Sequence, residues 1–478
     1  MNDMVQTPAE CVENRVFDEI KVGDSASIVR TLTAEDIKLF AVVSGDVNPA
    51  HLDQEYADGD MFHRIIAHGM WGGALISAVL GTELPGPGAI YLGQSLRFRR
   101  PVGIGDTITA RVTVTGKRED KGVVVFDCVC LNQLGEEVIT GEAEILAPTE
   151  KVRRKRVELP EVHMANHAFY NHVMASVRDG AAVATAVVHP CSAVAIGAAV
   201  EAAKAGIIDP ILVGPRAKIE AAAEAAGTNV SAFRIEEVPH SHAAAARAVE
   251  LVREGEAQVL MKGSLHTDEL MGAVVRYEGG LRTERRISHA FLMSFPGRDT
   301  PLLISDAAIN VEPDLEAKAD IIRNAIDLAQ VVGIACPKVA ILAAVETVNP
   351  AMRATLEAAI LCKMADRGQI TGGQLDGPLA YDNAVSEAAA REKGITSPVA
   401  GKADILIVPD LEAGNMLAKQ LTFTGGADAA GVVLGARVPI ILTSRADNVR
   451  TRLASCAVAA MMAQADTKAA PGLIAPSL

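Results

Sequence analysis

Aromatic residues are scarce. Phe, Tyr and Trp make up 3% of the 478 residues, with a single Trp, so the chain offers no stacking platform for nucleic-acid bases. A cationic surplus is also missing. The formal net charge is −14, which excludes a general nucleic-acid or anionic-membrane surface. Anionic substrates stay open, because a few placed Arg or Lys side chains bind phosphate inside an acidic protein. The 7 Cys are scattered without a CxxC pair, which fits free thiols in a reducing compartment. The start, MNDMVQTPAECVENRVF, has neither a basic n-region nor an apolar h-region. The most apolar C-terminal run, 453–465, is too short to span a bilayer. A cytoplasmic protein with no membrane or nucleic-acid partner is the expectation.

What the chain does have is apolar content, 49%, enough for the two or three domains its length suggests. The stretch richest in chemistry is 43–51, V-S-G-D-V-N-P-A-H. Asp46 and His51 lie five residues apart. Gly45, Asn48 and Pro49 around them break regular structure and fix a loop. A helix should precede it, since Thr33, Ala34, Glu35 and Asp36 read as a capping-box-like start. Ile37, Phe40, Ala41 and Ser44 then recur at helical spacing. An acid that polarises a water and an imidazole that orients it or moves its proton would share one loop. Further on, 66–80 is apolar all round and rich in small residues, which predicts a buried helix. A start at His68 and Gly69 points main-chain N–H groups outward at the positive dipole end, an oxyanion site.

The hydrophobic period then changes to two. Segments 91–98, 107–116, 122–131 and 136–146 read as strands, as does 26–30 before the loop. One buried helix against an antiparallel sheet makes an α+β domain ending near Pro148. Cys128 and Cys130 share one strand face as small core residues. Residues 151–156 carry five basic side chains in six and read as part of a solvated linker. From Pro160, apolar strand-like runs alternate with Ala-rich helical stretches: 182–188 before 192–205, 211–213 before 216–226, 338–345 before 350–364, 403–409 before 411–421, and 439–443 before 448–464. Segments 258–261, 291–295, 302–305 and 432–434 are further strands. That rhythm predicts a mainly parallel sheet covered on both faces, with ligands at the C-terminal strand ends. His163, His167 and His172 share one predicted helix without an acid in a zinc-protease arrangement, so they read as surface or packing residues.

The run S-G-D-V-N-P-A-H at 44–51, followed by H-G-M at 68–70, resembles the MaoC-like, R-specific enoyl-CoA hydratase family. The resemblance covers roughly 15–147. Phe40 and Ala57 supply the family's flanking aromatic and small residues, and Y-L-G-Q-S-L-R-F at 91–98 is similar to its strand after the helix. It implies a hot-dog fold, a central helix wrapped by an antiparallel sheet. It also implies Asp46 and His51 as the catalytic pair, Gly69 as N–H donor to the thioester oxygen, and Ser77 as a supporting serine on the helix.

The remainder, about 161–478, resembles the phosphate acetyl/butyryltransferase family. The motifs are S-D-A-A-I-N at 305–310, D-G-P-L at 376–379, S-P-V-A-G-K-A-D at 397–404, P-D-L-E-A-G-N at 409–415 and L-T-S-R at 442–445. The resemblance implies two α/β lobes and exchange of the CoA of an acyl-CoA for inorganic phosphate. Ser444 would hydrogen-bond the CoA sulfur, and Arg445 would hold phosphate and the acyl carbonyl oxygen. Asp306 and Asn310 are candidate cleft groups, and Lys262 a candidate phosphate cation. Acetyl-type members carry an acid seven positions beyond the serine, proposed as the base that deprotonates CoA. Here that position is Thr451, with Asp447 near but not equivalent. An arginine expected after the 409–415 helix is replaced near 419–422, and 343–350 is closer to the butyryl-type branch.

The expected organisation is a hot-dog domain at 15–148, a basic linker at 149–160 and a two-lobed α/β domain at 161–478. The expected function is bifunctional: R-specific hydration of 2-enoyl-CoA, and acyl transfer between a short acyl-CoA and phosphate. Acyl-CoA, CoA and phosphate are the partners, no metal or redox cofactor is called for, and both families imply a homodimer or higher homo-oligomer. The alternative keeps the hydratase and makes the second domain an acyl-CoA-sensing or oligomerising module. Ser444 and Arg445 speak for the enzyme, Thr451 for the module.

Overall fold

The computed structural model describes residues 11–160, 162, 168–178, 180–295, 298, 300–442 and 447–469. The chain divides into two compact units, Met1–Glu161 and Val162–Leu478. Ser444, Arg445, His163 and His167 lie outside the described residues, while His172 is exposed on the helix Ala168–Arg178.

The first unit contains strands β1 (Cys11–Glu13), β2 (Ser25–Thr31), β3 (Ile90–Phe98), β4 (Thr107–Arg118), β5 (Val123–Leu131), β6 (Glu137–Leu146) and β7 (Arg153–Lys155). Its helices are α1 (Ala34–Ser44), α2 (Pro49–Leu52), α3 (Gln54–Gly59) and α4 (Gly69–Thr82). Five strands make an antiparallel sheet in the order β2-β4-β5-β6-β3. Along β4, Ile108, Ala110, Val112 and Val114 are buried on one face, as the period of two predicts. They share a core with Ile76, Val79 and Leu80 of α4 and with Phe126, Cys128 and Cys130 of β5. Burial pushes both thiols up to about 12, so they stay protonated and serve as packing groups. Gly141 fixes the β3–β6 spacing, since a Cβ there would stand 1.9 Å from the Ser95 carbonyl oxygen.

Two features differ from the sequence reading. Helix α4 is not buried all round: Met70, Ala74 and Ser77 are exposed along one face, because the sheet covers only the other. The basic run at 151–156 is not all solvated linker. β7 pairs with β1, Val12 opposite Arg154, and Lys151 pairs with Glu13 and Glu19 and Arg156 with Glu83. The acids of this first unit hold the basic run onto it.

The second unit contains β8 (Val183–Val188), β9 (Ile208–Gly214), β10 (Arg234–Glu237), β11 (Val259–Lys262), β12 (Ser288–Ser294), β13 (Leu302–Ser305), β14 (Lys338–Leu342), β15 (Gln374–Leu379), β16 (Ile405–Ile407), β17 (Asp428–Leu434) and β18 (Ile440–Ile441). All eleven join one sheet in the order β10-β9-β8-β11-β18-β17-β12-β13-β16-β14-β15. Two blocks are parallel within themselves: β10 to β18 on one side, β13 to β15 on the other. β17 and β12 join them through antiparallel pairings, so the blocks run in opposite directions. Most strands are buried on both faces under helices, which is why they read as near-continuous apolar runs. No helix among the described residues is long and apolar enough to cross a membrane.

His289 sits on β12 at 1% exposure. Burial pushes its imidazole down to about 4, against the opposing pull of Asp306. The unfolded chain takes up this proton near pH 6.5, whereas the folded chain resists it until about 4. Stability of this unit should therefore be full above the unfolded value and decline, by on the order of a few kcal/mol, as pH falls through that window. Thermal unfolding near pH 7.5 and near pH 5 checks this, and His289→Asn should flatten the difference.

Candidate active sites

The first site begins at the C-terminus of α1. Thr33 caps the start, its hydroxyl accepting from the Asp36 N–H while Asp36 accepts from the Thr33 N–H, the reciprocal pattern of a capping box. Gly45 ends the helix in the left-handed region at φ 75°, which glycine adopts without strain. Asp46 follows, exposed, with its Oδ1 accepting from the Asn48 N–H at 3.2 Å. Asn48 and Pro49 do more than break structure. Asn48 caps the one-turn helix α2, and Pro49 occupies its first position, where a missing N–H costs nothing. His51 therefore projects from a helical turn rather than a loose loop. Its Nδ1–H donates to the Ile66 carbonyl at 2.9 Å, which leaves Nε2 as the proton-accepting nitrogen.

His68 completes the arrangement, with a role beyond the helix start and the H-G-M run that its sequence position shows. It is 3% exposed and precedes Gly69, the first residue of α4. Its Nε2–H donates to the Asp46 carbonyl at 3.0 Å, and its ring lies 4.0 Å from that of His51. One imidazole thus ties together the acid, the base and the helix start. Asp46, His51 and His68 bring ligand-type atoms within 4.8 Å of one another, so they could hold a divalent ion.

His51, His68 and Gly69 line a cavity of about 280 Å³ whose apolar walls include Phe62, Trp71, Phe98, Val102, Ile108 and Ile139. Asp46 stands exposed beside it. A Cβ on Gly69 would come 3.0 Å from the Phe98 ring, so glycine lets the ring close over the helix start. The cavity suits an apolar chain carrying a polar head toward the N-terminus of α4. Ser77 does not reach it. It lies eight residues beyond Gly69, about 12 Å along the helix, on the exposed face.

In the second unit, Asp306 and Asn310 come together, but Asp306 is 2% exposed and its carboxylate is fully engaged. It accepts from the N–H groups of Ala308, Ile309 and Asn310 and from Asn310 Nδ2. Asp306 therefore folds the loop after β13 rather than facing a ligand. Asn310 passes this order outward, its Oδ1 accepting from Arg286 Nε at 2.9 Å. Asn310 and Arg286 line a cavity of about 680 Å³ with Arg282, Arg285 and Thr267. Those arginines escaped the sequence reading; the dense run R-T-E-R-R at 282–286 was the available signal. Lys262 ends β11, on the block that runs opposite to β13. It pairs with Val188, and its neighbour Met261 pairs with Ile441 on β18, the strand leading toward Ser444 and Arg445.

Residues 240–460 match the family model described as phosphate acetyl/butaryl transferase, and residues 21–128 match the MaoC like domain. A phosphate acetyltransferase from Rhizobium meliloti is 62% identical over 294 residues, covering 62% of this chain and 93% of that protein. The chain belongs to the phosphate acetyl/butyryltransferase family. Its transferase-family unit is also similar to a branched-chain phosphotransacylase from Enterococcus faecalis, 28% identical with a TM-score of 0.53, over 59% of this chain and 99% of that one. Ahead of that unit the protein carries the MaoC-like domain. An R-hydratase from Pseudomonas aeruginosa is 46% identical over 32% of this chain and 99% of its own, with a TM-score of 0.32. This phosphate acetyl/butyryltransferase family member joins its transferase fold to a MaoC-like unit bearing Asp46, His51 and His68.

Proposed function

We propose that the chain is a bifunctional enzyme of CoA thioesters. The first unit adds water to a 2-enoyl-CoA, giving an (R)-3-hydroxyacyl-CoA. The observation that carries this is the pairing of Asp46 and His51 beside the N-terminus of α4. Asp46 draws the proton from a water held by His51 Nε2, and the oxygen bonds to C3. Electrons move through the C2–C3 bond toward the thioester oxygen, which the Gly69 N–H and the helix dipole stabilise. The proton held by Asp46 then passes to C2, which restores the carboxylate, and the sum is addition of one water. Arg99 and Arg100 line the cavity and supply cations for CoA phosphates.

The second unit exchanges CoA for phosphate on a short acyl group, with Ser444, Arg445 and Lys262 as its proposed ligand groups. The 62% identical relative is named phosphate acetyltransferase, so acetyl-CoA is the first donor to expect. Neither reaction requires an electron carrier or a metal. A second copy of the chain completes the assembly: Leu92 and Phe98 on the edge strand β3 and Met70 on α4 are more than half exposed, an apolar edge that natural sheets cover.

The test is direct. Purified protein should hydrate crotonyl-CoA to the R product and release CoA from acetyl-CoA only when phosphate is present. S product, or no CoA release with acetyl- or butyryl-CoA, would reject the respective half. His68→Leu should lower hydration turnover about 10²-fold through misplacement of Asp46 and His51, as steady-state kinetics on crotonyl-CoA will read. Size-exclusion chromatography with light scattering should give at least a dimer.

A further inference from the structure

Exchange of CoA for phosphate on an acyl group needs a base for the CoA thiol, and Thr451, at the first turn of the helix Val449–Ala469, carries a hydroxyl that is no base at neutral pH. The sheet topology indicates where such a base would stand. The chain leaves β8 for β9 and β10 on one side, and β11 lies on the other. The order reverses there, and in parallel sheets ligands bind outside the carboxyl ends of strands at such a reversal. The residue at the end of β8 is His189.

Its backbone is unusual. φ is 53°, the left-handed region that costs a non-glycine residue energy and clusters at functional sites. Three main-chain bonds hold it: its N–H donates to Val213, and its carbonyl accepts from Cys191 and Ser264. Gly263 lies so close that a Cβ there would stand 2.6 Å from the His189 carbonyl oxygen. Ser264, whose N–H bonds the His189 carbonyl, has its hydroxyl 3.0 Å from that of Ser192, and Lys262 lies one strand over in register with Val188. The buried Nδ1 of His189 has no hydrogen-bond partner, and neither has the buried Oε2 of Glu269. The charged groups acting on the ring are Lys218 and Glu269, with His242 beyond, 3.7 Å from Glu269. Burial first, then Lys218, holds the imidazole below its ordinary value against the pull of Glu269, so it is neutral and able to accept a proton at neutral pH.

We propose that His189 accepts the thiol proton of CoA in the transferase unit; this rests on the transferase reading above. In the direction from acyl phosphate, Nε2, the ring nitrogen that is not buried, takes the S–H proton and the sulfur bonds to the acyl carbon. The bond from that carbon to the phosphate oxygen breaks, and inorganic phosphate leaves. In reverse, the imidazolium returns the proton to the departing thiolate.

The test uses the full chain with acetyl phosphate and CoA. His189→Asn suits the backbone, because Asn tolerates the left-handed region. It should lower kcat about 10²-fold or more, with an unchanged melting temperature. Wild-type rate should rise with pH through an inflection below the usual histidine value, and the variant should lose that limb. His189→Gly should regain activity with added imidazole. A variant matching wild type in kcat and pH profile overturns the proposal. Lost activity with the acid limb intact and no imidazole rescue also overturns it, leaving His189 a structural residue. An inactive wild type takes the proposal down together with the transferase reading, whereas an active wild type with an equally active variant removes His189 alone.

Discussion

Asp46→Asn should lower hydration turnover about 10³-fold, within the range that general acid–base groups contribute, while KM for crotonyl-CoA stays nearly constant. The substitution isolates the charge. The Asn amide oxygen can still accept from the Asn48 N–H, as Asp46 Oδ1 does at 3.2 Å, and the main-chain carbonyl still accepts from His68 at 3.0 Å. Gly45 still turns the chain at φ 75°. Only the capacity to take a proton from water disappears. His51 cannot replace it, because its Nδ1–H is committed to the Ile66 carbonyl and its single free nitrogen is needed to hold the water. The loss of enoyl absorbance reads the effect, and phosphate-dependent CoA release by the second unit should be unchanged.

Gly263→Ala should be nearly as damaging to the other activity. The new methyl would sit 2.4 Å from the Val188 carbonyl oxygen and 2.6 Å from that of His189, and both obstacles are backbone. Neither can swing aside as a flexible side chain would. Relief requires β8 and β11 to separate at their C-terminal ends, which breaks the bonds from Gly263 N–H to Val188 and from Ser264 N–H to His189, each 2.9 Å. The cost is roughly 2–4 kcal/mol of stability in this unit, as for other strained backbone sites. Transfer should fall about 10²-fold, since displacement of positioning groups by 1 Å has that effect. Calorimetry should show one unfolding transition lowered, with hydration intact.

Much of this was legible in the residues. The α1 capping box, the start of α4 at Gly69 and the four long strands after it follow from local signals that act within a few residues. The alternating apolar runs of the second unit reported burial on both faces correctly, but they carry no direction. The reversal at β12 and β17 depends on which strands meet, and apolar content is the same either way. Pro49 read as a breaker because proline signals both a loop and a first helical turn, and the Asn48 cap decides between them. Asp306 read as a ligand group because a strand-end acid has the same sequence appearance whether it faces a ligand or closes its own loop. Ser77 came from resemblance alone, and the helix places it on the exposed face, past Gly72, where the cavity lining along α4 ends. His68, Arg286 and His189 were the costliest omissions. Their roles come from partners distant in sequence: Asp46 for His68, Asn310 for Arg286, Gly263 for His189. The R-T-E-R-R run gave one local hint, but the strained φ of His189 left none.

Two independent CoA-thioester activities on one chain are separable by crossed variants. Wild type, Asp46→Asn and Ser444→Ala would each be assayed for crotonyl-CoA hydration and for phosphate-dependent release of CoA from acetyl-CoA. Wild type should perform both reactions, Asp46→Asn should lose only hydration, and Ser444→Ala should lose only transfer. A wild type that releases no CoA, or a Ser444→Ala variant that transfers as well as wild type, would contradict this separation.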